Sequence, residues 1–358
     1  MQIQAPIVKR HSLDSLSEYI HSLKRSYSKA VIISTETVFA SFGEQITLQL
    51  KKCQIGIHPI IVPAGETAKS LENAKYCWES MHTYGIDRHS VVIALGGGTV
   101  GDLAGFVAST YMRGLDLIMI PTTLLSMIDS GLGGKNGINL QSGKNIIGSF
   151  WQPRLILIDP LFLNTLPARE ITAGLAEVIK SATIKNSLLF AFLEEHMQTI
   201  RALDQEKIER VIQDTCAIKL EVVKADERDT KDIRALLNYG HTFGHAIESA
   251  TGHSRFLHGE AVSIGMSCAA HLSTLLGLAS PGFIERQDAL CKSAGLPTKL
   301  PDVSTDELLT FMHKDKKASS DSLTFVLCSS IGQAEVRRGV DKELVVKAIA
   351  NKRVYDNK

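Results

Sequence analysis

The alternation of short β-rich runs with helical stretches over the first half of the chain constrains its fold more than any other feature. Residues 30–34, 57–63, 91–95, 117–121 and 155–159 read as strands, and helical patterns lie between them. Strands spaced in this way form a parallel sheet covered by helices, because parallel neighbours can be joined only through a crossover. After Thr165-Leu166-Pro167 the pattern changes to long amphipathic segments at 171–184, 207–224, 237–250 and 261–276, so this half is expected to be mainly helical. Near the end, 323–327 and 334–338 flank Ile331-Gly332 as a small hairpin, followed by a helix from 341 to about 351. The fold class expected is α/β, with a parallel-rich α/β domain over 1–168 and a mainly α-helical domain over 169–358.

At 358 residues the chain exceeds what one hydrophobic core usually organises, which predicts two domains and a ligand-binding cleft between them. Its 39 basic and 38 acidic residues leave a net charge of +1, so no global field recruits nucleic acid or an anionic membrane. Six cysteines, Cys53, Cys77, Cys216, Cys268, Cys291 and Cys328, are scattered without a Cys-x-x-Cys pair. That distribution fits reduced thiols in a cytosolic protein rather than a disulfide frame or a zinc knuckle. The amino end lacks the apolar core of a signal peptide, and Pro121 interrupts the longest candidate for a membrane span, so a cytoplasmic protein is expected.

Chemistry concentrates in a few places. The segment Leu237-Asn238-Tyr239-Gly240-His241-Thr242-Phe243-Gly244-His245-Ala246-Ile247-Glu248, followed by Leu257-His258-Gly259-Glu260, gathers three imidazoles into an otherwise apolar stretch. His241 and His245 project from one helix face, where one cation or one anionic group could meet both, although a histidine on an apolar face is also a common core residue. Glu177 and Lys180, three apart upstream, share a helix face as well, and read either as part of a site or as a surface ion pair. The strand at 91–95 runs into Gly96-Gly97-Gly98-Thr99-Val100-Gly101-Asp102, a Gly-x-Gly-x-x-Gly pattern in a strand-turn-helix setting. There a backbone without Cβ atoms can approach a pyrophosphate. Asp116 lies at about the distance of a ribose-binding acid but precedes a strand rather than ending one, and is not assigned that role. Gly133-Gly134-Lys135 and Gly143-Lys144-Asn145 read as a glycine-rich loop with two lysines suited to phosphate, the alternative being a solvated loop. Neither pair is a Walker A sequence, since no Ser or Thr follows the lysine.

Together, Gly96 to Phe106, Pro121-Thr122-Thr123-Leu124-Leu125, Gly133-Gly134-Lys135, Gly143-Lys144-Asn145, Ala176-Glu177-Val178-Ile179-Lys180 and the histidine segment resemble the 3-dehydroquinate synthase family of the shikimate pathway. The resemblance implies an NAD-binding α/β domain, a mainly helical metal- and substrate-binding domain, an active site in the interdomain cleft, and a homodimer. It also implies NAD and one divalent metal ion, zinc or, alternatively, cobalt. The implied metal ligands are Glu177, His241 and His258, which replaces the simpler reading of His241 and His245 as a chelating pair; two histidines and a carboxylate with open positions suit catalytic zinc. Implied NAD contacts are Glu66, Lys69, Gly98, Thr99, Val100, Gly101, Asp102, Thr122, Thr123, Lys135, Lys144, Phe162 and Thr165. Implied catalytic residues are His245, Asp229, Lys135, Lys180 and Asp129. Substrate contacts are Asn145, Lys219, Arg234, Asn238 and Lys317, with Arg113 reaching across the dimer.

The implied reaction converts the sugar phosphate 3-deoxy-D-arabino-heptulosonate 7-phosphate into 3-dehydroquinate and phosphate by transient oxidation, elimination, reduction, ring opening and aldol closure. The chain departs from the family pattern at Ser34-Thr35-Glu36-Thr37, where an Asp-x-Asn-like nucleotide contact is usual, at Asn136, where Thr is usual, and at Asp229, where Glu is usual. Rival readings are another sugar-phosphate cyclase, a metal-dependent polyol dehydrogenase and a nonenzymatic regulatory homologue. Lys219, Arg234 and His245 favour a carboxylate-bearing substrate over the first rival. The twin Gly-Lys segments argue against the second, and joint retention of Glu177, His241, His258 and Lys135 against the third.

Overall fold

The computed structural model describes residues 3–141, 143–227, 229–252, 254–315 and 323–357. They form two compact units, Met1–Leu166 and Pro167–Lys358. In the first unit the order is β1 (Ile7–Val8), α1 (Leu16–Ser22), β2 (Lys29–Ser34), α2 (Glu36–Lys52), β3 (Gly56–Ile61), α3 (Leu71–Thr83), β4 (Val91–Gly96), α4 (Gly98–Thr110), β5 (Asp116–Pro121), β6 (Lys135–Leu140), β7 (Gly143–Phe150) and β8 (Leu155–Ile158).

Six of these strands make one parallel sheet in the order β1-β8-β5-β4-β2-β3. Its inner strands β4, β5 and β8 are buried almost end to end, which is why they read as continuous apolar runs rather than alternating ones. The segment 135–150, read from the sequence as a glycine-rich loop, is instead an antiparallel hairpin in which Gly137 faces Gly148. β7 is mostly exposed and β6 buries Asn136, Gly137 and Ile138 in one run, so no hydrophobic alternation marks either strand.

The second unit contains α5 (Ala168–Lys185), α6 (Ser187–Arg201), α7 (Gln205–Ala225), a 3₁₀ turn (Arg234–Asn238), α8 (His241–Ala250), α9 (His258–Leu275), α10 (Pro281–Ser293), α11 (Thr305–Asp315), the antiparallel pair β9 (Leu323–Ser330) and β10 (Gln333–Val340), and α12 (Lys342–Asp356). α9 is its axis: Gly259 through Ser273 are buried throughout, and α5, α8, α10, α12 and β9 pack around it. The helix expected from residue 237 begins instead at His241, because Tyr239-Gly240 breaks the run with Gly240 at φ 78°. No helix among the described residues is long and apolar enough to cross a membrane.

Candidate active site

Three helices of the second unit converge on one buried carboxylate. Glu177 and Lys180 lie on the inner face of α5, 1% and 2% exposed. Burying either charge alone would be costly, and the Lys180 ammonium pairs with Glu177 Oε2. His241 opens α8 and His258 opens α9, so each imidazole sits at a helix start whose position is set by packing. α9 touches α5 at Gly259, where a Cβ would lie 1.9 Å from the Ala173 carbonyl oxygen, and touches the start of α8 at Gly265, where it would lie 2.1 Å from the Gly240 oxygen. Backbone-on-backbone contact at these two glycines brings the three helices close enough for their side chains to meet.

His241 Nε2 is 3.7 Å and His258 Nε2 3.8 Å from Glu177 Oε1. One ligand atom from each of the three residues lies within 4.8 Å of the others. His241 Nδ1 lies 3.1 Å from the Tyr239 carbonyl. A carbonyl only accepts, so Nδ1 carries the proton and the Nε2 lone pair faces the carboxylate. Burial, reinforced by the Lys180 cation and the neighbouring imidazoles of His258 and His245, holds His241 well below the usual histidine pKa, and therefore neutral. For His258, burial pulls downward but the Glu248 hydrogen bond and the Glu177 charge outweigh it, and its pKa is raised. Apart from the ion pair with Lys180, neither buried oxygen of Glu177 accepts a hydrogen bond among the described residues.

A divalent ion fits this arrangement. Tetrahedral zinc with bonds of ~2.0–2.1 Å needs ligand atoms ~3.3 Å apart, and the two imidazole nitrogens stand 3.7 and 3.8 Å from Glu177 Oε1. His245 lies outside this grouping, its ring centroid 5.4 Å from that of His241. Glu260, next to the site in sequence, is occupied elsewhere: its carboxylate accepts from the Leu257 amide at 2.8 Å and pairs with Arg169 at 2.7 Å, fixing the start of α9.

Lys219 and Arg234 are further buried cations of this unit. Lys219 lies on the inner face of α7, and Arg234 begins the 3₁₀ turn, its Nη1 donating to the Glu227 carbonyl at 3.1 Å. The loop before Arg234 is built on Asp226, whose carboxylate accepts the amides of Thr230, Lys231 and Ile233 at 2.8, 3.1 and 3.2 Å. No motif in the sequence marks Asp226 for this role. Asp229 is exposed in the same loop at φ 55°, and Asn238 is exposed at the end of the turn. Lys317 lies outside the described residues.

In the first unit, the chain leaves β2 towards β3 on one side and passes through β4 and β5 towards β8 on the other, so the sheet switches direction between β2 and β4. Ligands of such sheets bind beyond the carboxyl ends of the strands at this point. Gly96-Gly97-Gly98 lies there, and α4 starts at Gly98 without a side-chain cap, leaving its first amides to meet an anion. Thr99, Val100, Gly101 and Asp102 continue α4, with Val100 and Gly101 buried and Asp102 half-buried. Ser34, one of the departures, donates to the Leu95 carbonyl at 2.8 Å and ties the two strand ends together.

Buried Lys69 pairs with Asp102 at 2.6 Å and donates to Asn145 Oδ1. Asn139 links the same network to Glu66 at 2.7 Å. Glu66, Lys69, Asp102 and Asn145 thus act as one polar unit. Thr122 is buried with its amide on the Gly96 carbonyl at 3.0 Å, and the Thr123 amide donates to Ser126 Oγ at 3.1 Å. Asp129 is half-buried in a π turn, Ser126–Ser130. Lys135 and Lys144 are exposed on the hairpin, and Arg113 is exposed at φ 68°. Phe162 packs into the core against Phe42 with ring centroids 4.4 Å apart, and exposed Thr165 donates to its carbonyl at 2.9 Å. Asp116 is taken up by Arg154 at 2.8 Å and Tyr27 at 3.0 Å, in keeping with its exclusion as a ribose ligand.

Asn136 has a physical role that its sequence position did not reveal. Its Nδ2 donates to the Gly134 carbonyl at 2.9 Å and the Trp151 carbonyl at 3.1 Å, and Gly105 leaves room for it. A threonine hydroxyl has a single proton and cannot serve both carbonyls.

Comparison with known proteins decides the family. Residues 59–173 match the family model for the 3-dehydroquinate synthase N-terminal region and residues 174–318 that for the C-terminal region. The chain belongs to the 3-dehydroquinate synthase family. It is 43% identical over 334 residues to a 3-dehydroquinate synthase of Thermoanaerobacter pseudethanolicus, covering 93% of both chains. Among solved structures it resembles 2-epi-5-epi-valiolone synthase from Streptomyces hygroscopicus subsp. jinggangensis, solved with NAD+ and Zn2+ bound. That match has a TM-score of 0.89 and 29% identity, and covers 99% of this chain and 98% of that one. It also resembles a 2-deoxy-scyllo-inosose synthase solved with carbaglucose-6-phosphate, NAD+ and Co2+, at TM-score 0.88 and 27% identity, covering 98% of this chain and 99% of that one.

Proposed function

We propose that this chain is a 3-dehydroquinate synthase, a lyase converting 3-deoxy-D-arabino-heptulosonate 7-phosphate into 3-dehydroquinate and phosphate on the route to aromatic amino acids. The observation that carries the reading is the buried Glu177 carboxylate faced by His241 and His258, in a chain whose relatives of high coverage carry that name. NAD and one divalent ion, zinc or cobalt, would supply hydride removal and return and Lewis-acid polarisation of the reacting carbinol. Glu177, His241 and His258 would hold the ion. NAD would lie on residues 1–168, with Gly98–Asp102 at the pyrophosphate and Glu66, Lys69, Thr122, Thr123, Lys135, Lys144, Phe162 and Thr165 around it. Residues 169–358 would carry the metal and much of the substrate.

The remaining groups divide by charge. Lys219 and Arg234, buried cations, suit a substrate carboxylate, the Arg234 fork in a bidentate manner. Lys135, Asn145, His245 and Lys317 suit the phosphate, while Asn238 and Asp129 orient hydroxyls. Asp229 accepts a proton, and Lys180 keeps the buried Glu177 neutralised. Arg113 reaches the phosphate of a second copy in a homodimer, and the enzyme is cytoplasmic. The solved relatives make other cyclic products, but Lys219 and Arg234 favour a sugar phosphate that also bears a carboxylate.

The test is incubation of zinc-loaded protein with the heptulosonate phosphate and catalytic NAD, following phosphate release and the cyclic product. Product without net NADH supports the reading. Stoichiometric NADH with simple polyols, or turnover only of sugar phosphates lacking the carboxylate, overturns it.

A further inference from the structure

His258 presents both ring nitrogens to carboxylates. Nε2 faces Glu177, and Nδ1 lies 3.4 Å from Glu248 Oε1. Glu248 sits two turns after His241 on the same face of α8 and is only 9% exposed. A carboxylate there is costly to bury unless it receives donors, and a carboxylate on Nδ1–H selects the tautomer whose Nε2 lone pair is free. We propose that Glu248 is a positioning residue for the metal site, fixing the ring orientation and tautomer of His258 and raising the basicity of its Nε2. This rests on the reading of Glu177, His241 and His258 as metal ligands.

The same geometry offers one competing use. His245, Glu248 and His258 also place ligand atoms within 4.8 Å of one another, a second grouping that shares His258. A neutral imidazole has one lone pair and one N–H. Holding an ion at Nδ1 while Nε2 serves the first site would require loss of that remaining proton, whereas donating it to Glu248 requires nothing. The contact therefore works as a hydrogen bond rather than as half of a second site.

The experiment strips the full-length protein with a chelator and measures zinc uptake by competition with a chromophoric chelator, alongside the visible spectrum of the cobalt form. Glu248→Ala should weaken zinc binding roughly ten- to a hundredfold and shift the cobalt bands, while uptake stays at one ion. Glu248→Gln, whose amide oxygen still accepts from Nδ1 without the charge, should lie between, and it replaces the alanine variant if that variant melts without a cooperative transition. Zinc affinity within about twofold of the unsubstituted protein, with an unchanged cobalt spectrum, overturns the proposal. Uptake of a second ion that Glu248→Ala abolishes overturns it as well, since Glu248 is then itself a ligand. If the unsubstituted protein binds no zinc, the metal reading fails first and takes this inference with it.

Discussion

His271 shows how a single buried group sets a pH limit. It lies on α9, 7% exposed, its ring against Tyr355 at 5.0 Å between centroids. Burial, and then the buried Lys352 cation, lower its pKa to about 4, with Asp356 opposing. The unfolded chain takes up a proton near pH 6.5 that the folded chain refuses until about 4, so stability is fully present above 6.5 and declines as pH falls between these values. The swing is of order 3 kcal/mol. Melting temperature measured against pH should slope down across that window, and His271→Asn should flatten the slope. An unchanged slope would assign the acid sensitivity to other groups. A lone histidine thirteen residues beyond His258 gave no such signal in the sequence, because both its burial and the Lys352 cation of α12 are products of tertiary packing.

Among the elements, the contact of α5, α8 and α9 decides whether Glu177, His241 and His258, the proposed ligands, meet at all. Gly259→Ala would drive a Cβ into the Ala173 carbonyl, where both partners are backbone and neither can rotate away. It should cost on the order of 1–3 kcal/mol and weaken zinc binding by separating Glu177 from His258. Gly282→Ala in α10, where a Cβ meets nothing within 4 Å, is the control and should leave zinc binding alone. Denaturant titration and zinc competition on both variants check this, and equal zinc affinity would show that helix spacing tolerates more than the packing implies. Elements of this kind were legible where burial imposed a period. The strands β2, β4, β5 and β8 stood out as apolar runs, and α5 and α7 as amphipathic helices. The hairpin of β6 and β7 was not, since Gly137 opposite Gly148 and a mostly wet surface leave no alternation to read.

At the scale of the molecule, the candidate site residues come from segments far apart in the chain, and local spacing alone suggested other partners. His241 and His245 are the natural pair on a helical wheel, yet the ligand grouping with Glu177 takes His241 and His258. Only a resemblance spanning most of the chain carried that set, and it passed over Glu248, whose contact with His258 is tertiary. In a zinc finger the free energy of binding the ion is the free energy of folding, and the fold is lost when the ion leaves. Here the Lys180 ammonium already stands beside the buried Glu177 carboxylate, a resident counter-charge that would remain once an ion is removed. Chelator-stripped protein should keep its far-ultraviolet circular dichroism and a cooperative melt, and regain activity when zinc is returned. Collapse on chelation would mean that the ion, rather than the lysine, holds these helices together.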